Sequence, residues 1–221
     1  MKLLDLILPV RCVVCDAAGE QLCRACRDAL PRLGPPWCDR CGAPTAWPVS
    51  RCRERSGRRL AFATARAAVA YDDAVRRLVR AWKERGLRRL AATAADEIAY
   101  ALSPVAGATA IAFVPADRAR GLERGHHPAE RLARELGDRW ELPVVPVLRR
   151  ARTASRQRGL SLADRRRNVA GAFVPARESP IRVVLVDDVY TSGSTASAAA
   201  SALCKGGARR VDVVTFARVV R

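Results

Sequence analysis

The strongest chemical signal in the chain is the segment 183–195, which reads Val-Val-Leu-Val-Asp-Asp-Val-Tyr-Thr-Ser-Gly-Ser-Thr. We interpret it as a buried strand that ends in two carboxylates, Asp187 and Asp188, followed by a tight turn and the start of a helix. Backbone N–H groups at a helix start, together with hydroxyls, form a cradle for a phosphate monoester. A glycine in the turn lets the backbone approach that phosphate closely. The predicted cradle consists of Thr191, Ser192, Gly193, Ser194 and Thr195.

The two carboxylates suit a different part of the same ligand. Repulsion keeps them away from a phosphate, so we expect them to accept hydrogen bonds from neighbouring sugar hydroxyls or to hold Mg²⁺. A phosphate cradle beside such a pair describes a ribose 5-phosphate site. The alternative is an acidic pair of the receiver or Walker-B type, but receivers lack the hydroxyl-rich turn and the chain contains no Gly-x-x-x-x-Gly-Lys-Ser/Thr loop. Turn amides facing away from any cavity, or carboxylates locked in core ion pairs, would contradict the ribose-phosphate interpretation.

Cysteines dominate the first part of the chain, where six of them form three C-x-x-C pairs. This spacing lets two thiolates reach one tetrahedral ion at about 2.3 Å, so two pairs complete a structural zinc site. A disulfide framework and a redox C-x-x-C are alternatives that fit the chain less well. Arg55 stands where Cys52 should find its partner, so the second site lacks one ligand and is three-coordinate, completed by another group, or empty. The predicted ligands are Cys12, Cys15, Cys23, Cys26, Cys38, Cys41 and Cys52.

The order of the segments predicts two domains, a cysteine module at residues 1–56 and an α/β domain at 57–221. In the second, apolar runs and helical periodicity alternate, which predicts a parallel sheet between two layers of helices. Ligands of such sheets bind beyond the carboxyl ends of the strands. Cys204, isolated near the end, is predicted to be an inert buried thiol. The predicted strands are 109–114, 142–148, 181–186 and 211–216, and the predicted helices are 71–84, 90–102, 128–136 and 195–203.

The charge of the chain is strongly positive, with 40 Lys and Arg against 22 Asp and Glu and a net charge of +18. Only Lys2, Lys83 and Lys205 are lysines. A phosphate-rich partner and a codon bias toward arginine are competing explanations, but bias between two cations does not explain the excess over acids. No apolar run is long enough to span a membrane and no cleavable signal opens the chain, so we expect a cytoplasmic protein without membrane insertion.

The segment 183–195 resembles, position for position, the phosphoribosyl-pyrophosphate motif of type I phosphoribosyltransferases. The cysteine module and the order of segments resemble the ComF family of competence-associated proteins (ComFC-like), over essentially all 221 residues. Further motifs carry this resemblance: Leu22-Cys23-Arg-Ala-Cys26, Cys38-Asp-Arg-Cys41-Gly42, the segment 71–83, Gln157-x-x-Leu160-Ser161 and Arg165-Arg-Arg-Asn168-Val-x-Gly171-Ala-Phe173.

The resemblance implies a type I phosphoribosyltransferase-like sheet with flanking helices, preceded by a zinc-ribbon module. It implies that Asp187 and Asp188 are the catalytic residues and contact ribose hydroxyls, while Val189, Tyr190 and the residues of the cradle bind phosphoribosyl pyrophosphate with Mg²⁺. The loop 115–118, which includes Arg118, would lie against the pyrophosphate, and Lys83 would face the site.

Arginines are concentrated in the segment 151–167, which we interpret as a flap that closes over an anionic ligand. Arg158 and Arg165 are its candidate ligand contacts. A solvated basic loop and a nucleic-acid contact are the alternatives. His126 and His127 precede a predicted helix, where an exposed or capping role is favoured over a general base.

Three functions remain open at this point. The first is an enzyme that transfers ribose phosphate from phosphoribosyl pyrophosphate to a nucleophile. The second is a sensor that binds this ligand or ribose 5-phosphate without turnover. The third is a DNA-uptake protein that contacts single-stranded DNA and other competence proteins, although aromatic residues for base stacking make up only 5% of the chain.

Overall fold

The structure, a computed structural model, describes residues 10–55, 59–116, 127–151 and 171–220. Its helices are α1 (Arg24–Asp28), α2 (Asp73–Glu84), α3 (Leu90–Ala101), α4 (Pro128–Trp140) and α5 (Ser194–Lys205). Its strands are β1 (Thr64–Ala70), β2 (Ala110–Phe113), β3 (Leu148–Arg150), β4 (Phe173–Pro175), β5 (Arg182–Tyr190) and β6 (Arg210–Arg218). A short 3₁₀ turn covers Arg53–Arg55. No helix in these ranges has the length and apolar character needed to cross a membrane.

Four strands form one parallel sheet in the order β1-β6-β5-β2, and β3 pairs with β4 in a separate antiparallel hairpin. The valine-rich runs of β5 and β6 are buried nearly throughout, as expected for strands covered on both faces. The predicted α/β architecture is therefore confirmed. The predicted strand 142–148 is largely wrong: Val144 makes a single bridge to Ile111, and regular pairing begins only at Leu148. Proline in this segment lacks the N–H that a ladder needs.

Helices cover both faces of the sheet and divide the core into two clusters. Val184 and Val186 of β5 pack on the face covered by α2, α3 and α4. Val183 and Leu185 pack on the opposite face, with α5 and the β3–β4 hairpin. The alternation follows from the two-residue period of a strand. The two faces of the sheet are therefore packed by different helices and form separate core clusters.

The strand β1 was not predicted from the sequence. Its residues are mostly alanine, with Arg66 among them, and alanine has a weak preference for strands. Pairing forms the strand nonetheless, with β6 on one edge and the cysteine module on the other. Leu33 N–H donates to Ala68 O at 2.8 Å, and Ala70 N–H donates to Pro31 O at 2.8 Å. The module thereby covers an edge strand that would otherwise expose unpaired backbone groups.

The cysteine module packs one half on each face of the sheet. Cys12, Leu22 and Leu30 belong to the core cluster of α2, α3 and α4. Cys38, Cys41 and Ala43 belong to the cluster of α5. The two halves therefore contact different helices of the α/β domain, although they follow each other directly in sequence.

The prediction that Cys204 is buried is wrong. The residue lies in the last turn of α5 and its side chain is exposed. Helical position explains the difference, because Leu203 beside it takes the buried position on that turn.

Candidate functional site

The acidic doublet lies inside β5 and not after its end. The strand continues to Tyr190, because β6 pairs with it as far as the register Tyr190–Arg218. Asp188 is 9% exposed, and its Oδ2 lies 2.6 Å from Nζ of Lys83. The helix α2 thus brings Lys83 to the doublet, as the resemblance implied.

The ion pair between Lys83 and Asp188 bears directly on the ribose-phosphate interpretation, which core ion pairs would contradict. One of the two carboxylates is paired, and its partner is the lysine that the resemblance directs to the site. The Lys83 side chain keeps 27% of its area exposed. The pair therefore joins a buried carboxylate to a lysine that stays partly open to solvent.

Asp187 has a different environment from its neighbour. Burial, and then the negative charge of Asp188, raise the pKa of Asp187 to about 8, while Lys83, the Asp188 backbone N–H and Arg150 act to lower it. The Asp188 N–H donates to Asp187 Oδ1 at 2.9 Å. Among the described residues Asp187 has no ion-pair partner. Asp187 therefore takes up a proton more readily than an exposed aspartate, while Lys83 contacts the other carboxylate of the doublet.

The turn after β5 leads directly into a helix. Gly193 adopts φ of 71°, in the left-handed region, and directly precedes α5. The predicted helix start is confirmed to within one residue. The first N–H groups of a helix have no partner within it and can donate to other acceptors; here the Ser194 N–H donates to Ser192 Oγ at 3.4 Å. The hydroxyls of Ser192 and Ser194 lie 3.0 Å apart, and Thr191 and Thr195 are exposed.

Tyr190 occupies the space beneath this turn. A Cβ added to Gly193 would lie 2.2 Å from Oη of Tyr190. The tyrosine ring is buried, with an edge contact to Phe62 at a centroid distance of 6.3 Å. Val189 is half-buried against the α2–α4 cluster. Tyr190 therefore packs against the turn, and Val189 packs on the opposite face of the sheet. The predicted contact of these two residues with a ligand stays a prediction.

Several predicted site residues lie outside the described parts of the chain. These are Arg118, Arg158, Arg165 and the rest of the arginine segment 152–167, and their roles stay predictions. His126 lies there too, whereas His127 directly precedes α4, where its side chain is exposed and makes no capping hydrogen bond.

Sequence reasoning missed Arg150 and Arg218. Arg150 ends β3 and its Nε donates to Pro115 O at 3.2 Å, so it fixes the chain at the end of β2 beside the doublet. Arg218 ends β6 and is only 1% exposed. Its guanidinium lies 4.8 Å from the centroid of the Tyr190 ring. The position of Arg218 at the end of an apolar strand indicates a charge that needs partners, because burying an unpaired charge is costly. The sequence does not identify those partners.

The first cysteine cluster consists of Cys12, Cys15, Cys23 and Cys26, whose sulfur atoms lie within 4.8 Å of one another. Cys15 Sγ and Cys23 Sγ are 3.6 Å apart. Sulfurs at about 2.3 Å from a tetrahedral zinc are about 3.8 Å apart, so the geometry fits. Burial acts to raise the pKa of Cys12, but hydrogen bonds from the backbone N–H groups of Cys23, Cys15 and Val14 lower it to about 6. This favours the thiolate that a metal binds.

The second cluster consists of Cys38, Cys41 and Cys52. The sulfurs of Cys41 and Cys52 are 3.4 Å apart. Burial acts to raise the pKa of Cys38 as well, and backbone N–H groups of Cys41 and Arg40 lower it overall. Among the residues that the structure covers, no further cysteine, histidine or carboxylate joins these three. Three converging sulfurs fit a metal, with its fourth ligand not supplied by the described residues.

The structure thus defines a class: a small cysteine module with two clusters of metal-ligand type, joined to a parallel α/β domain with an acidic doublet and a glycine turn before a helix. Residues 3–57 match the family model of the double zinc ribbon domain. Together with the two cysteine clusters, this match supports structural zinc.

The chain is a homologue of Competence protein F from Haemophilus influenzae, with 29% identity over 224 residues that cover 94% of this chain and 96% of that protein. It is also similar to the DNA utilization protein YhgH of Escherichia coli O6:H1, with 35% identity over 104 residues, 46% of this chain and 44% of that protein. These similarities and the zinc-ribbon match confirm the resemblance to ComF proteins.

Two solved structures also match the chain. One is a glutamine phosphoribosylpyrophosphate amidotransferase from B. subtilis complexed with ADP and GMP, with a TM-score of 0.38. The other is described as the allosteric regulatory enzyme of purine biosynthesis, with a TM-score of 0.42. Each is 21% identical and the match covers 58% of this chain, which spans a quarter of the length of either one.

Proposed function

We propose that the chain binds phosphoribosyl pyrophosphate, or ribose 5-phosphate, with Mg²⁺ and serves DNA uptake in the cytoplasm. One observation carries the ligand: Lys83, the doublet Asp187–Asp188 and the turn at Gly193 meet where β5 ends and α5 begins. Ligands of parallel α/β sheets bind at this end of the strands. The link to DNA uptake rests on the relatives, which are named as competence and DNA utilization proteins.

Each part of the ligand has a matching group in this proposal. The 5-phosphate lies on the first N–H groups of α5, with the hydroxyls of Ser192 and Ser194 as further donors. The ribose hydroxyls lie on Asp187 and Asp188. Lys83 offsets negative charge on the doublet, so an anionic sugar can approach it.

The carboxylate oxygens of Asp187 and Asp188 are the ligand type that Mg²⁺ prefers, so the donor set fits this ion. Bound there, Mg²⁺ would neutralise charge on the pyrophosphate. Arg118, Arg158 and Arg165 are proposed to contact the same group. Removing one such cation from an enzyme raises the barrier by about 2–4 kcal/mol. Release of pyrophosphate from labelled ligand would favour the transferase, and saturable binding without release would favour the sensor.

The test is calorimetric titration of the full chain with phosphoribosyl pyrophosphate and Mg²⁺, comparing Gly193→Ala with Gly207→Ala. Both glycines have positive φ and flank α5, but an added Cβ meets Tyr190 at 2.2 Å at position 193 and only ordinary contacts from 3.7 Å at position 207. We expect Gly193→Ala to weaken binding at least tenfold, because the turn must move off Tyr190. Gly207→Ala should bind within about twofold of the wild type, since it changes nothing near the turn.

Separate titrations with ribose 5-phosphate and with pyrophosphate show which half of the ligand the turn recognises. A wild-type chain that binds none of the three compounds at millimolar concentration would refute the proposal. Equal weakening by both alanine variants would show that binding does not depend on the turn.

Binding of single-stranded DNA is the second candidate function. The net charge of +18 favours it. A groove of about 620 Å³ between the module and α3 is one place for such a strand, and its charged lining consists of Arg24, Arg27, Arg89, Glu20 and Asp28. Contacts to phosphates make affinity fall steeply with salt concentration. Anisotropy titrations of a labelled oligonucleotide at several salt concentrations measure this slope. DNA affinity that survives Asp187→Ala would place the DNA away from the proposed sugar site.

A further inference from the structure

Arg218 lies between the second cysteine cluster and the turn at Gly193. Its Nη1 donates to the carbonyl of Cys41, and its Nη2 pairs with Oε2 of Glu54. Glu54 follows Cys52 by two residues, so both contacts are made to chain that the cluster itself holds. On its other side the guanidinium faces the Tyr190 ring at 4.8 Å.

Tyr190 completes the connection, because its hydroxyl lies against Gly193 so closely that an added Cβ would come within 2.2 Å of it. The backbone follows the same route, since Arg218 pairs with Tyr190 in the sheet register and Val219 N–H donates to Tyr190 O at 2.9 Å. A continuous series of contacts therefore runs from Cys41 through Arg218 and Tyr190 to the start of α5.

Because Arg218 is charged, this series of contacts depends on the structure of the second cysteine cluster. The residue is 1% exposed, and a buried guanidinium is stable only with partners that satisfy it. Two of its partners, the Cys41 carbonyl and the Glu54 carboxylate, keep their positions only while the loops around Cys41 and Cys52 hold their shape. Its Nε has no hydrogen-bond partner among the described residues. Losing either partner would leave a buried cation that must move, and Tyr190 with it.

We propose that Arg218 is a positioning residue that makes the conformation of the Gly193 turn depend on metal occupancy of the cluster Cys38–Cys41–Cys52. Among the described residues the first cluster has no such connection, since Cys12 packs in the other core cluster, with α2 and α3. The effect on a bound sugar phosphate rests on the proposed function, whereas the effect on the turn does not.

The experiment measures zinc content and hydrogen exchange of the peptide 190–197 in the full chain. Cys52→Ser perturbs the second cluster, and Cys15→Ser is its matched control in the first. We expect two zinc ions per wild-type chain and one in each variant. Exchange of the turn should accelerate about tenfold in Cys52→Ser and stay unchanged in Cys15→Ser.

Two further variants test the residues between the cluster and the turn. Arg218→Met removes the charge and keeps an unbranched side chain over Tyr190. Glu54→Gln is milder, because it removes only the partner's charge, and it serves if the first variant does not fold. Both should accelerate exchange of the turn, and each folded variant should keep the zinc of the first cluster.

The proposal is overturned if Cys52→Ser loses one zinc without faster exchange, or if both cysteine variants accelerate the turn equally. A wild-type chain with a single zinc that Cys52→Ser retains would also overturn it. Titration with phosphoribosyl pyrophosphate then separates the two proposals. If no protein binds the ligand, wild type included, the proposed function fails while the exchange comparison still decides the role of Arg218.

Discussion

The two cysteine clusters differ in ligand number and in burial. The first has more ligands, and the second is more buried. In the four-cysteine cluster Cys12 is buried, Cys23 and Cys26 are half-buried and Cys15 is exposed. The three-cysteine cluster is buried at Cys38 and Cys41, which are 0% and 3% exposed. The cluster that lacks a ligand is therefore the one that the protein encloses more completely.

This difference shows where each half of the module obtains its stability. The first half packs Cys12, Leu22 and Leu30 against α2, α3 and α4, and four converging sulfurs and ion pairs to α3 hold it further. The second half shares a core cluster with α5, so packing around Cys38 contributes what a fourth sulfur would otherwise provide. Because Cys38 and Cys41 are buried in that cluster and Cys15 is exposed, damage at the second cluster should spread into the α/β domain, and damage at Cys15 should remain local.

The largest expected effect comes from replacing one buried cysteine. Cys38→Ser should lower the free energy of unfolding by about 5 kcal/mol, because it removes a metal ligand and buries a hydroxyl in an apolar cluster. Cys15→Ser should cost clearly less, about 2–3 kcal/mol, since its side chain is exposed. Urea unfolding followed by circular dichroism measures both. Equal losses would show that the two clusters contribute equally and would remove the basis of the comparison.

A chelator sharpens this test. With metal removed from all proteins, the two variants should differ only by the cost of a buried hydroxyl, about 1–2 kcal/mol. A difference that remains as large as before would mean that packing alone, and not the metal, distinguishes the clusters.

A pair of glycines probes the same contrast through the backbone. Gly42 follows Cys41 with φ of 69°, and a Cβ there would lie 2.3 Å from the carbonyl oxygen of Ala65 in β1. Gly19 lies in the first half with φ of 120°, and a Cβ there would meet nothing within 4 Å. Gly19→Ala should cost about 1–2 kcal/mol through backbone strain alone. Gly42→Ala should cost about 2 kcal/mol more, because the module must also move off β1.

Thermal unfolding with zinc present measures this pair. At roughly 2–4 °C per kcal/mol for a chain of this size, the two variants should differ by about 4–8 °C. Similar melting temperatures would mean that the close contact between Gly42 and β1 adds no cost beyond backbone strain.

Much of the fold could be predicted from the sequence, since β5 and β6 are continuous valine-rich runs and the cysteine spacing leaves few interpretations. The strand β1 could not, because its alanines become a strand only through partners on both edges, which are distant in sequence. For the same reason, the sequence did not predict where β5 ends. Two aspartates interrupt its apolar pattern, yet pairing with β6 carries the strand through them to Tyr190.

The candidate site shows the same difference between features set by local sequence and features set by distant segments. Local sequence was enough for the turn, because Gly193 and its hydroxyl neighbours act within one segment. The environment of the doublet was not, since the Lys83 ion pair comes from α2, and the burial that raises the pKa of Asp187 comes from the packed fold. Arg218 is the extreme case, with three partners that come from the cysteine module and from β5.

The smallest effect concerns the ion pairs that hold the first half of the module. Glu97 of α3 is 2% exposed and binds two arginines of the module, Arg27 at 2.7 Å and Arg32 at 2.9 Å. Glu97→Gln should lower the free energy of unfolding by about 1–2 kcal/mol, because both arginines are partly exposed and regain water. Glu84→Gln is the matched control, since its pair with Arg80 lies on the surface of α2 and should contribute about 0.3–0.5 kcal/mol.

Glu97→Gln also tests whether the halves of the module respond separately. Its zinc content should stay at the wild-type value while hydrogen exchange of the segment 22–33 accelerates, because only the anchor to α3 is weakened. Exchange of the peptide 190–197 should not change. Acceleration there would mean that the first half also controls the turn, and the distinction between the two clusters would have to be abandoned.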